Sequence, residues 1–265
     1  MPPLDPSPTA APDPGPLRRD LVAGLEKGLA VICAFDQERP LLSVTELAQR
    51  CGLTRAAARR YLITLQHLGF VRCERGRWAL TAKVLRLAQS YMHSGRLPRL
   101  VQPELHRLVA TLKEASSAGV LEGDDVICIA ALSAGHLVSS TLQPGTRVPA
   151  YCTANGRVLL AALPEAQLAA WLSGRALAPL TPQTITDPAR LRTELARIRA
   201  QGYALVDQEL ETGLRTLSVP LVSADGAVLA AINVSAHAAR RSLESLLEHC
   251  LPALRQTQAN LRRQL

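Results

Sequence analysis

The chain has 265 residues, of which 48% are hydrophobic and 20% are charged, and its formal net charge is +8. This length is sufficient for two domains with separate cores, and no apolar run approaches the ~20 residues of a membrane-spanning helix. The composition therefore excludes helical membrane spans and predicts a soluble globular protein without a membrane partner.

The N-terminus is rich in proline, with seven prolines in its first sixteen residues. It has neither the basic start nor the apolar segment of a signal peptide, so we expect a disordered tail over residues 1–17 and a cytoplasmic protein. Cysteines in the cytoplasm are reduced thiols. The sequence has no CxxC pair and no close cysteine–histidine pair, so we predict no metal site. The six cysteines stand at positions 33, 51, 73, 128, 152 and 250.

A first helix is predicted from about Arg18 to Asp36. Apolar residues recur at three- and four-residue steps along one face of it, namely Leu21, Leu25, Leu29 and Ile32. This spacing is typical of an amphipathic helix. We expect its apolar face to pack across the two helices that follow in the chain.

The segment from Ser43 to Gly69 predicts two helices joined by a tight turn. Ser43 and, three residues later, Glu46 have the spacing of a capping box, which begins a helix. Gly52 can adopt the left-handed conformation of the turn, Thr54 is a good N-cap for the second helix, and Gly69 ends that helix. Two helices joined in this way place the second helix in a major groove of DNA.

A basic hairpin follows the second helix. Phe70–Glu74 is predicted as a strand, Arg75-Gly76 as a turn and Arg77–Leu80 as the returning strand. A hairpin in this place is the wing of a winged helix-turn-helix, so residues 18–80 are predicted as a DNA-binding domain. Residues 45–83 contain eight Lys or Arg and two acidic residues, a net charge of +6 (8 − 2), which is most of the excess of the whole chain.

Three arginines of the second helix, Arg55, Arg59 and Arg60, lie broadly opposite its apolar residues and are free to meet phosphates and base edges. Charge alone would favour a solvated basic helix in an ordinary helical domain. The capping box, glycine turn, arginine face and basic hairpin, in this order, favour DNA binding instead. The remaining predicted contacts are Ser43, Thr45, Thr54, Arg75 and Arg77.

Residues 81–97 are predicted as a linker between two domains. The helix within it, residues 81–94, carries an apolar face, and the pattern breaks from Gly95 to Pro98. That face suggests pairing with a second subunit, and packing on its own domain is the alternative. Its apolar residues are Val84, Leu85, Ala88 and Tyr91.

Residues 98–265 are predicted as a second domain. The continuous apolar run Val126–Leu132, after the turn Glu122–Asp125, is typical of a buried strand. The other predicted strands are Val138–Leu142, Tyr203–Gln208, Leu214–Val222 and Ala227–Ser235. The predicted helices are Pro103–Ala115, Asn155–Leu163, Pro164–Leu172, Asp187–Gly202 and Ser242–Leu261. Strands paired by hairpins and flanked by helices make an antiparallel α+β domain.

The last two strands have one large apolar face and one small polar face. If Val222 and Ala227 flank the hairpin loop as a pair, Thr216 lies across from Asn233. Small residues leave room and their polar groups direct hydrogen bonds, which predicts a pocket for a small polar ligand. The alternative is a sheet face exposed to water. The small face carries Thr216, Ser218, Ala231, Asn233 and Ser235, and the large face carries Leu217, Val219, Leu221, Val228, Ile232 and Val234.

The segment Tyr151–Gly156 leads into a helix. Exposed N–H groups at a helix start bind carboxylates without a lysine or arginine. We therefore predict further ligand contacts at Tyr151, Thr153, Ala154 and Asn155. The alternative is that Thr153 or Asn155 caps its helix, which is compatible with the same role.

An acidic segment, Asp207–Glu211, invites an enzymatic interpretation, because paired carboxylates can perform acid–base chemistry. The segment has no nucleophile, histidine or metal-ligand partner nearby in the sequence, and the chain has no phosphate loop or dinucleotide fingerprint. We predict no catalytic residues and no cofactor.

Several segments, in order, resemble the IclR family of bacterial transcription regulators. They are LEKGLAVICAFD, LLSVTELAQRCGLTRAAARRYLITLQHLGFV, PAYCTANGRVLLA, GYALVDQELETGLRTLSVPL and AAINVSA. The resemblance covers nearly all of the chain except the proline-rich tail. The motif DQELE-x-GLR most resembles the subgroup that controls protocatechuate and 4-hydroxybenzoate breakdown.

The resemblance implies a winged helix-turn-helix domain, a linker helix and a GAF-like effector-binding domain, in dimers or tetramers on palindromic double-stranded DNA operators. It implies effector contacts at Asp207 or its neighbour, Thr216, Asn233, Ser235 and the loop of Thr153 to Asn155. The family often has Cys or Ser where this chain has Thr216, and Ser where it has Asn233. These differences leave the identity of the effector undetermined.

We therefore expect a ligand-responsive DNA-binding regulator that senses a small carboxylic or aromatic acid and controls a catabolic operon. The alternative from another class is an enzyme that uses the α+β domain, with the helical domain as an assembly module.

Overall fold

The computed structural model describes residues 18–36, 38–135 and 142–265. The predicted N-terminal tail and most of the predicted strand Val138–Leu142 lie outside the described residues. The chain divides after Gln89 into two compact units. The division falls inside α4 (Leu85–Ser94), in the predicted linker.

The N-terminal unit is a helix-turn-helix followed by a hairpin. Its elements are α1 (Ala23–Cys33), α2 (Val44–Arg50), α3 (Arg55–His67), β1 (Val71–Glu74) and β2 (Arg77–Leu80). The two strands pair antiparallel, and Leu42 forms a further bridge to Trp78. Short 3-10 turns at Arg18–Asp20 and Ala82–Val84 precede α1 and α4. The predicted order of helix, turn, helix and hairpin is confirmed.

The core of this unit draws one or more side chains from every helix and from the hairpin. Val31 of α1, Leu47 of α2, Leu62 of α3 and Trp78 of β2 are all buried in it. The apolar faces of α2 and α3 therefore pack into one shared core, which holds the two helices of the helix-turn-helix at a fixed angle.

The predicted packing of α1 is largely wrong. Leu21, Leu25 and Leu29 are exposed, Leu25 at 63%, and only Ile32 of the predicted face contacts the core. The first turn of the α-helix begins at Ala23, and the side of the helix that carries Val31 faces the other helices. The leucine stripe therefore lies on the outside of the unit.

The C-terminal unit is built on a six-stranded antiparallel sheet with the strand order β5-β4-β3-β8-β7-β6. Its strands are β3 (Ala115–Glu122), β4 (Asp125–Leu132), β5 (Arg147–Pro149), β6 (Ala204–Asp207), β7 (Leu214–Val222) and β8 (Val228–His237). Its helices are α5 (Arg96–Leu112), α6 (Ala154–Ala162), α7 (Glu165–Leu172), α8 (Pro188–Gln201), α9 (Leu243–Ser245) and α10 (Leu251–Arg262). The predicted antiparallel α+β architecture is confirmed.

Helices cover both faces of this sheet. On one face, Leu105 of α5 and Leu254 of α10 join a core with the large apolar side chains of the sheet, such as Leu217 and Ile232. On the other face, α6 packs on β3, β7 and β8 and is itself backed by α8. The small polar face of the sheet is therefore buried under α6.

Several elements differ from the prediction, and the short strand β5 is one that was not predicted. Helix α5 begins at Arg96 and includes Pro98 and Pro103, so the predicted break at Gly95–Pro98 is only its start. Pro98 stands in the first turn, where no intrahelical N–H bond is lost. Strand β3, rich in Ser, Ala and Gly, was not predicted, because these residues have little β-propensity.

The predicted register of the last hairpin is wrong by two residues. Val222 pairs with Val228, and a bulge next to Leu221 shifts the register again, so Thr216 pairs with Ser235 and not with Asn233. The same bulge turns Val228 away from the large apolar face, and it packs against the core under α6. Asn233 lies opposite Ser218.

The C-terminal helix is interrupted. A π-helical segment, Leu246–Cys250, separates α9 from α10, whereas one continuous helix was predicted from Ser242. Ser242 does cap the start as expected, since its hydroxyl accepts a hydrogen bond from Ser245 N–H. Among the described residues, no helix is both long enough and apolar enough to cross a bilayer.

Candidate functional site

The two helix starts of the helix-turn-helix are fixed by side-chain caps. Ser43 Oγ accepts from Glu46 N–H at 3.3 Å, while Glu46 Oε2 accepts from Ser43 N–H at 2.7 Å. The hydrogen bond donated by Ser43 N–H, together with the Ser43 side chain, holds the pKa of Glu46 below its ordinary value. Thr54 Oγ1 accepts from Ala57 N–H at 3.2 Å and caps α3. Thr45 lies exposed in the first turn of α2.

Helix α3 has a buried apolar side and an exposed basic side. Ala58 and Leu62 are buried, whereas Arg55, Arg59 and Arg60 are exposed. Within the described part of the chain, the side chains of these three arginines form no ion pair or hydrogen bond. Their guanidinium groups are therefore available to an anionic partner such as the DNA backbone.

The arginines of the hairpin differ from one another. Arg75 stands at the exposed tip, where it and Gly76 both have positive φ, at 51° and 79°. Arg77 Nη1 donates to the Leu41 carbonyl at 3.1 Å and lies 3.6 Å from Glu46 Oε2. Arg77 thus ties the hairpin to the start of α2, an internal role that was not predicted. Arg75 is the freer candidate for a phosphate.

A row of small polar side chains crosses the centre of the sheet in the C-terminal unit. Ser218 of β7 pairs with Asn233 of β8, which pairs with Ser117 of β3. Thr216 and Ser235 form the next row. All five are buried, so the alternative of a water-exposed sheet face is wrong.

Hydrogen bonds connect this row to the start of α6. Ser218 Oγ lies 2.6 Å from Asn155 Oδ1 and 3.0 Å from the Ile232 carbonyl. Thr153 Oγ1 accepts from Gly156 N–H at 3.2 Å and donates to the Pro149 carbonyl at 2.9 Å. The capping role of Thr153 is thereby confirmed, and Asn155 contacts the sheet.

Two glycines stand where a side chain has no room: Gly156 lets the start of α6 approach its own entry loop, and Gly119 on β3 lies close to the neighbouring strand β4. A Cβ on Gly156 would lie 2.2 Å from the Ala150 carbonyl oxygen, and one on Gly119 would lie 2.4 Å from Val126 Cγ1. Any larger residue at either position forces the backbone or a buried side chain to move. The hydrogen bond between Asn155 and Ser218 places the helix start above the polar row.

A small cavity of about 30 Å³ lies between the start of α6 and the sheet. Thr153, Asn155, Ser117 and Asn233 contribute its polar groups, and its apolar walls include Cys128, Val148 and Leu210. The cavity thus combines neutral hydrogen-bonding groups with apolar surface, as small-molecule sites generally do. Among the described residues, no group of three His, Cys, Asp or Glu side chains is arranged to hold a metal ion.

Two of the predicted effector contacts, Asp207 and Tyr151, do not contribute polar groups to this cavity. Asp207 pairs with Arg215 on the opposite face of the sheet, where its Oδ1 accepts from Arg215 Nε at 2.7 Å. It does not face the polar row, which corrects the predicted grouping. The Tyr151 hydroxyl donates to the Ala178 carbonyl at 2.6 Å, so this buried side chain is held by the loop that covers it. Ala154 is buried in the first turn of α6.

The prediction missed Ser117 and a buried ion pair between Arg157 and Glu209. Ser117 belongs to the unpredicted strand β3, and it contacts Asn233 from 116 positions away in the sequence. Arg157 and Glu209 are 52 positions apart and lie within the segments PAYCTANGRVLLA and DQELE. The sequence signal was Arg157 itself, which adjoins the apolar run VLLAAL, because a charge buried among apolar residues must be paired.

Comparisons with known proteins cover both units. Residues 24–75 match the family described as "IclR helix-turn-helix domain", and residues 89–263 match "Bacterial transcriptional regulator IclR C-terminal". A "Pca regulon regulatory protein" of Pseudomonas putida is 40% identical, over 93% of this chain and 85% of its own length. A "p-hydroxybenzoate hydroxylase transcriptional activator" of Acinetobacter baylyi is 37% identical, over 92% of each chain.

A solved structure gives the same result. An IclR homologue of Microbacterium hydrocarbonoxydans, in complex with 4-hydroxybenzoate, superimposes with a TM-score of 0.75 at 25% identity, over 91% of this chain and 98% of its own. These relatives are named as transcription regulators, so the enzyme alternative is set aside. Through both of its units, this chain belongs to the IclR family of bacterial transcriptional regulators.

Proposed function

We propose that this protein is an effector-responsive regulator of an operon for aromatic-acid breakdown, and that its effector is a monocyclic aromatic acid of the 4-hydroxybenzoate type. The observation that carries the proposal is the buried row of neutral polar groups facing the start of α6. The names of the relatives that regulate Pca and p-hydroxybenzoate genes support the same effector class.

Among the described residues that line the cavity there is no Lys, Arg or His, so neutral groups must hold the carboxylate of the effector. Arg157, buried close to the helix start, is already paired with Glu209. The first two backbone N–H groups of α6, on Ala154 and Asn155, donate to no acceptor among the described residues. A helix N-terminus attracts a carboxylate through such groups and through the helix dipole. The apolar walls, including Cys128 and Leu210, then contact the aromatic ring.

DNA binding is assigned to the exposed basic side of α3 and the tip of the hairpin. Arg55, Arg59 and Arg60 are spaced to reach base edges and phosphates from one helix face, and Arg75 reaches a phosphate of the neighbouring backbone. We assign Ser43, Thr45 and Thr54 to contacts from the helix starts. Because this chemistry requires access to the chromosome, we place the protein in the cytoplasm.

We further propose that the protein acts as a homo-oligomer on a palindromic operator. The exposed stripe of Leu25 and Leu29 on α1, with Leu21 just before the helix, is an apolar surface of the kind that a second copy covers. Two copies related by a two-fold axis read two half-sites of a palindrome. A bound effector changes DNA affinity when it favours one arrangement of the oligomer over another, typically by ~1–3 kcal/mol.

The test is a DNA-binding titration of the full chain on an operator selected from random double-stranded DNA. Fluorescence anisotropy is measured with and without 4-hydroxybenzoate, protocatechuate, benzoate, and short-chain acids such as acetate. We expect salt-sensitive binding to a palindromic sequence, and a change in affinity of about 5- to 150-fold with one of the aromatic acids. No effect of any aromatic acid, together with an effect of a short-chain acid, would overturn the proposed effector class.

A further inference from the structure

The side-chain amide of Asn233 is held in one orientation by Ser117. Asn233 Oδ1 lies 2.9 Å from the backbone nitrogen of Ser117 and 2.8 Å from its hydroxyl oxygen. Asn233 and Ser117 are cross-strand partners on β8 and β3, and 6% of each residue is exposed. The contact is therefore protected from water.

The identity of the two amide atoms follows from chemistry. The oxygen and nitrogen of an asparagine side chain are normally told apart only by their partners. A backbone N–H can only donate, so the Asn233 atom next to Ser117 N must be the oxygen. With the Ser117 hydroxyl as a second donor, both lone pairs of that oxygen are occupied. The NH₂ group is then directed away from Ser117.

This NH₂ group has unused donor capacity. It carries two hydrogens, and its one partner among the described residues is Ser235 Oγ, at 3.4 Å, near the long limit of a hydrogen bond. Asn233 lines the cavity under α6. The neighbouring amide, Asn155, differs in this respect, because its partner is the Ser218 hydroxyl, which can donate or accept.

We infer that Ser117 fixes Asn233 as a hydrogen-bond donor toward the ligand, so that the effector presents a carboxylate oxygen to position 233. A carboxylate has two accepting oxygens, one for the fixed NH₂ group of Asn233 and one for the N–H groups at the start of α6, whereas a carboxamide has only one accepting oxygen and must turn its own NH₂ toward one of these donors. Ser117 is thus a positioning residue, and the selectivity for acid over amide lies in the Ser117–Asn233 pair. This inference depends on the proposed aromatic-acid effector.

The experiment is calorimetric titration of the full chain at pH 8 with 4-hydroxybenzoate and 4-hydroxybenzamide. Asn233→Asp keeps the shape of the side chain and both acceptor contacts to Ser117, but it replaces the NH₂ group by an oxygen. We expect it to shift the ratio of the two affinities toward the amide by about tenfold or more. Ser117→Ala should shift the ratio in the same direction to a smaller extent, and Ser117→Thr should restore it.

Ser116→Ala is the matched control. Ser116 stands next to Ser117 on the opposite face of β3, and its hydroxyl donates to the backbone carbonyl of Asn233, not to the amide. It should leave the ratio unchanged. A parent chain that binds 4-hydroxybenzoate, with the same ratio in Asn233→Asp, would overturn this inference alone. A parent chain that binds none of the aromatic acids would overturn both this inference and the proposed effector.

Discussion

Arg157 and Glu209 form a bidentate ion pair inside the C-terminal unit. Arg157 Nη1 lies 2.6 Å from Glu209 Oε1, and Nη2 lies 2.5 Å from Oε2. Only 2% and 8% of the two side chains are exposed. Arg157 Nε also donates to the Tyr151 carbonyl, and Glu209 Oε2 accepts from Ile185 N–H. The pair therefore joins α6 and its entry loop to the loops that contain residues 185 and 209.

Arg157→Met should destabilise the C-terminal unit by about 3–5 kcal/mol, because it leaves the Glu209 carboxylate buried without its partner. Arg157→Met with Glu209→Leu should recover much of that loss, since apolar residues of similar volume replace both charges. Urea unfolding of the full chain measures the two free energies. Arg192→Met, which removes an exposed pair with Glu165, is the control and should cost at most about 1 kcal/mol. Equal losses in the single and double variants would contradict this account.

The local elements could be predicted from the sequence because their signals are local. Ser43 with Glu46, Thr54, and Asp187 with Pro188 each cap a helix through neighbours within three residues, and the structure confirms these starts. Strand β7 was predicted at its observed bounds, because its alternation of large and small side chains matches a buried sheet.

Long-range relationships could not be predicted in the same way. The contact of Ser117 with Asn233 and the ion pair of Arg157 with Glu209 join residues that are 116 and 52 positions apart. The register of the last hairpin depended on the bulge beside Leu221, which the sequence does not signal. The small polar face was identified from alternation alone, whereas the pairing within it required the structure.

Gly156→Ala should lower both the stability of the C-terminal unit and the response to effector. The added Cβ would meet the backbone of Ala150 at 2.2–2.6 Å, and backbone cannot move aside as a flexible side chain can. The start of α6 must then shift, at a cost of about 1–3 kcal/mol. Gly24→Ala, where a Cβ meets open space in α1, should be neutral or stabilising. Unfolding curves and effector titrations of both variants measure this, and unchanged curves for Gly156→Ala would contradict the close approach.

Two buried thiols should make the protein less stable at alkaline pH. Burial raises the pKa of Cys128 from 9.0 to about 11 and that of Cys152 from 9.0 to about 12. Between pH 9 and 11 the unfolded chain loses these protons while the folded chain keeps them, so the free energy of unfolding falls as pH rises. Below pH 9 this contribution is fully present.

The difference between the parent and a Cys128→Ala, Cys152→Ala variant isolates this effect from other titrating groups. Urea midpoints measured from pH 8 to 11 should fall more steeply for the parent. At pH 8, a thiol reagent should modify the exposed Cys33 much faster than either buried cysteine. If the urea midpoints of the two proteins fell equally with pH, the two buried thiols would not be the cause of the loss of stability.

The arginines of α3 and of the hairpin should affect DNA binding in different ways. Arg59→Ala or Arg60→Ala should each weaken operator binding by about 1–3 kcal/mol and relax the preference at one base pair, if the side chain reads a base. Arg75→Ala should weaken binding to all sequences. It should also reduce the slope of the logarithm of the binding constant against the logarithm of the salt concentration by about one. Arg72→Ala is the control, because Arg72 is paired with Glu74 on the same strand. Unchanged operator affinity in both α3 variants would show that the arginine side of this helix does not face the DNA.

The leucine stripe of α1 should be needed for oligomerisation and not for folding. Leu25 and Leu29 are 63% and 48% exposed, so replacing them by Glu removes no core contact. In an oligomer that covers the stripe, however, two buried carboxylates without partners would cost several kcal/mol. Leu25→Glu with Leu29→Glu should therefore lower the mass measured by light scattering and weaken binding to a palindrome far more than binding to a half-site. Glu26→Gln, on the same helix, is the control and should retain the parent mass. A Leu25→Glu, Leu29→Glu variant with the parent mass and the parent palindrome affinity would exclude α1 from the interface.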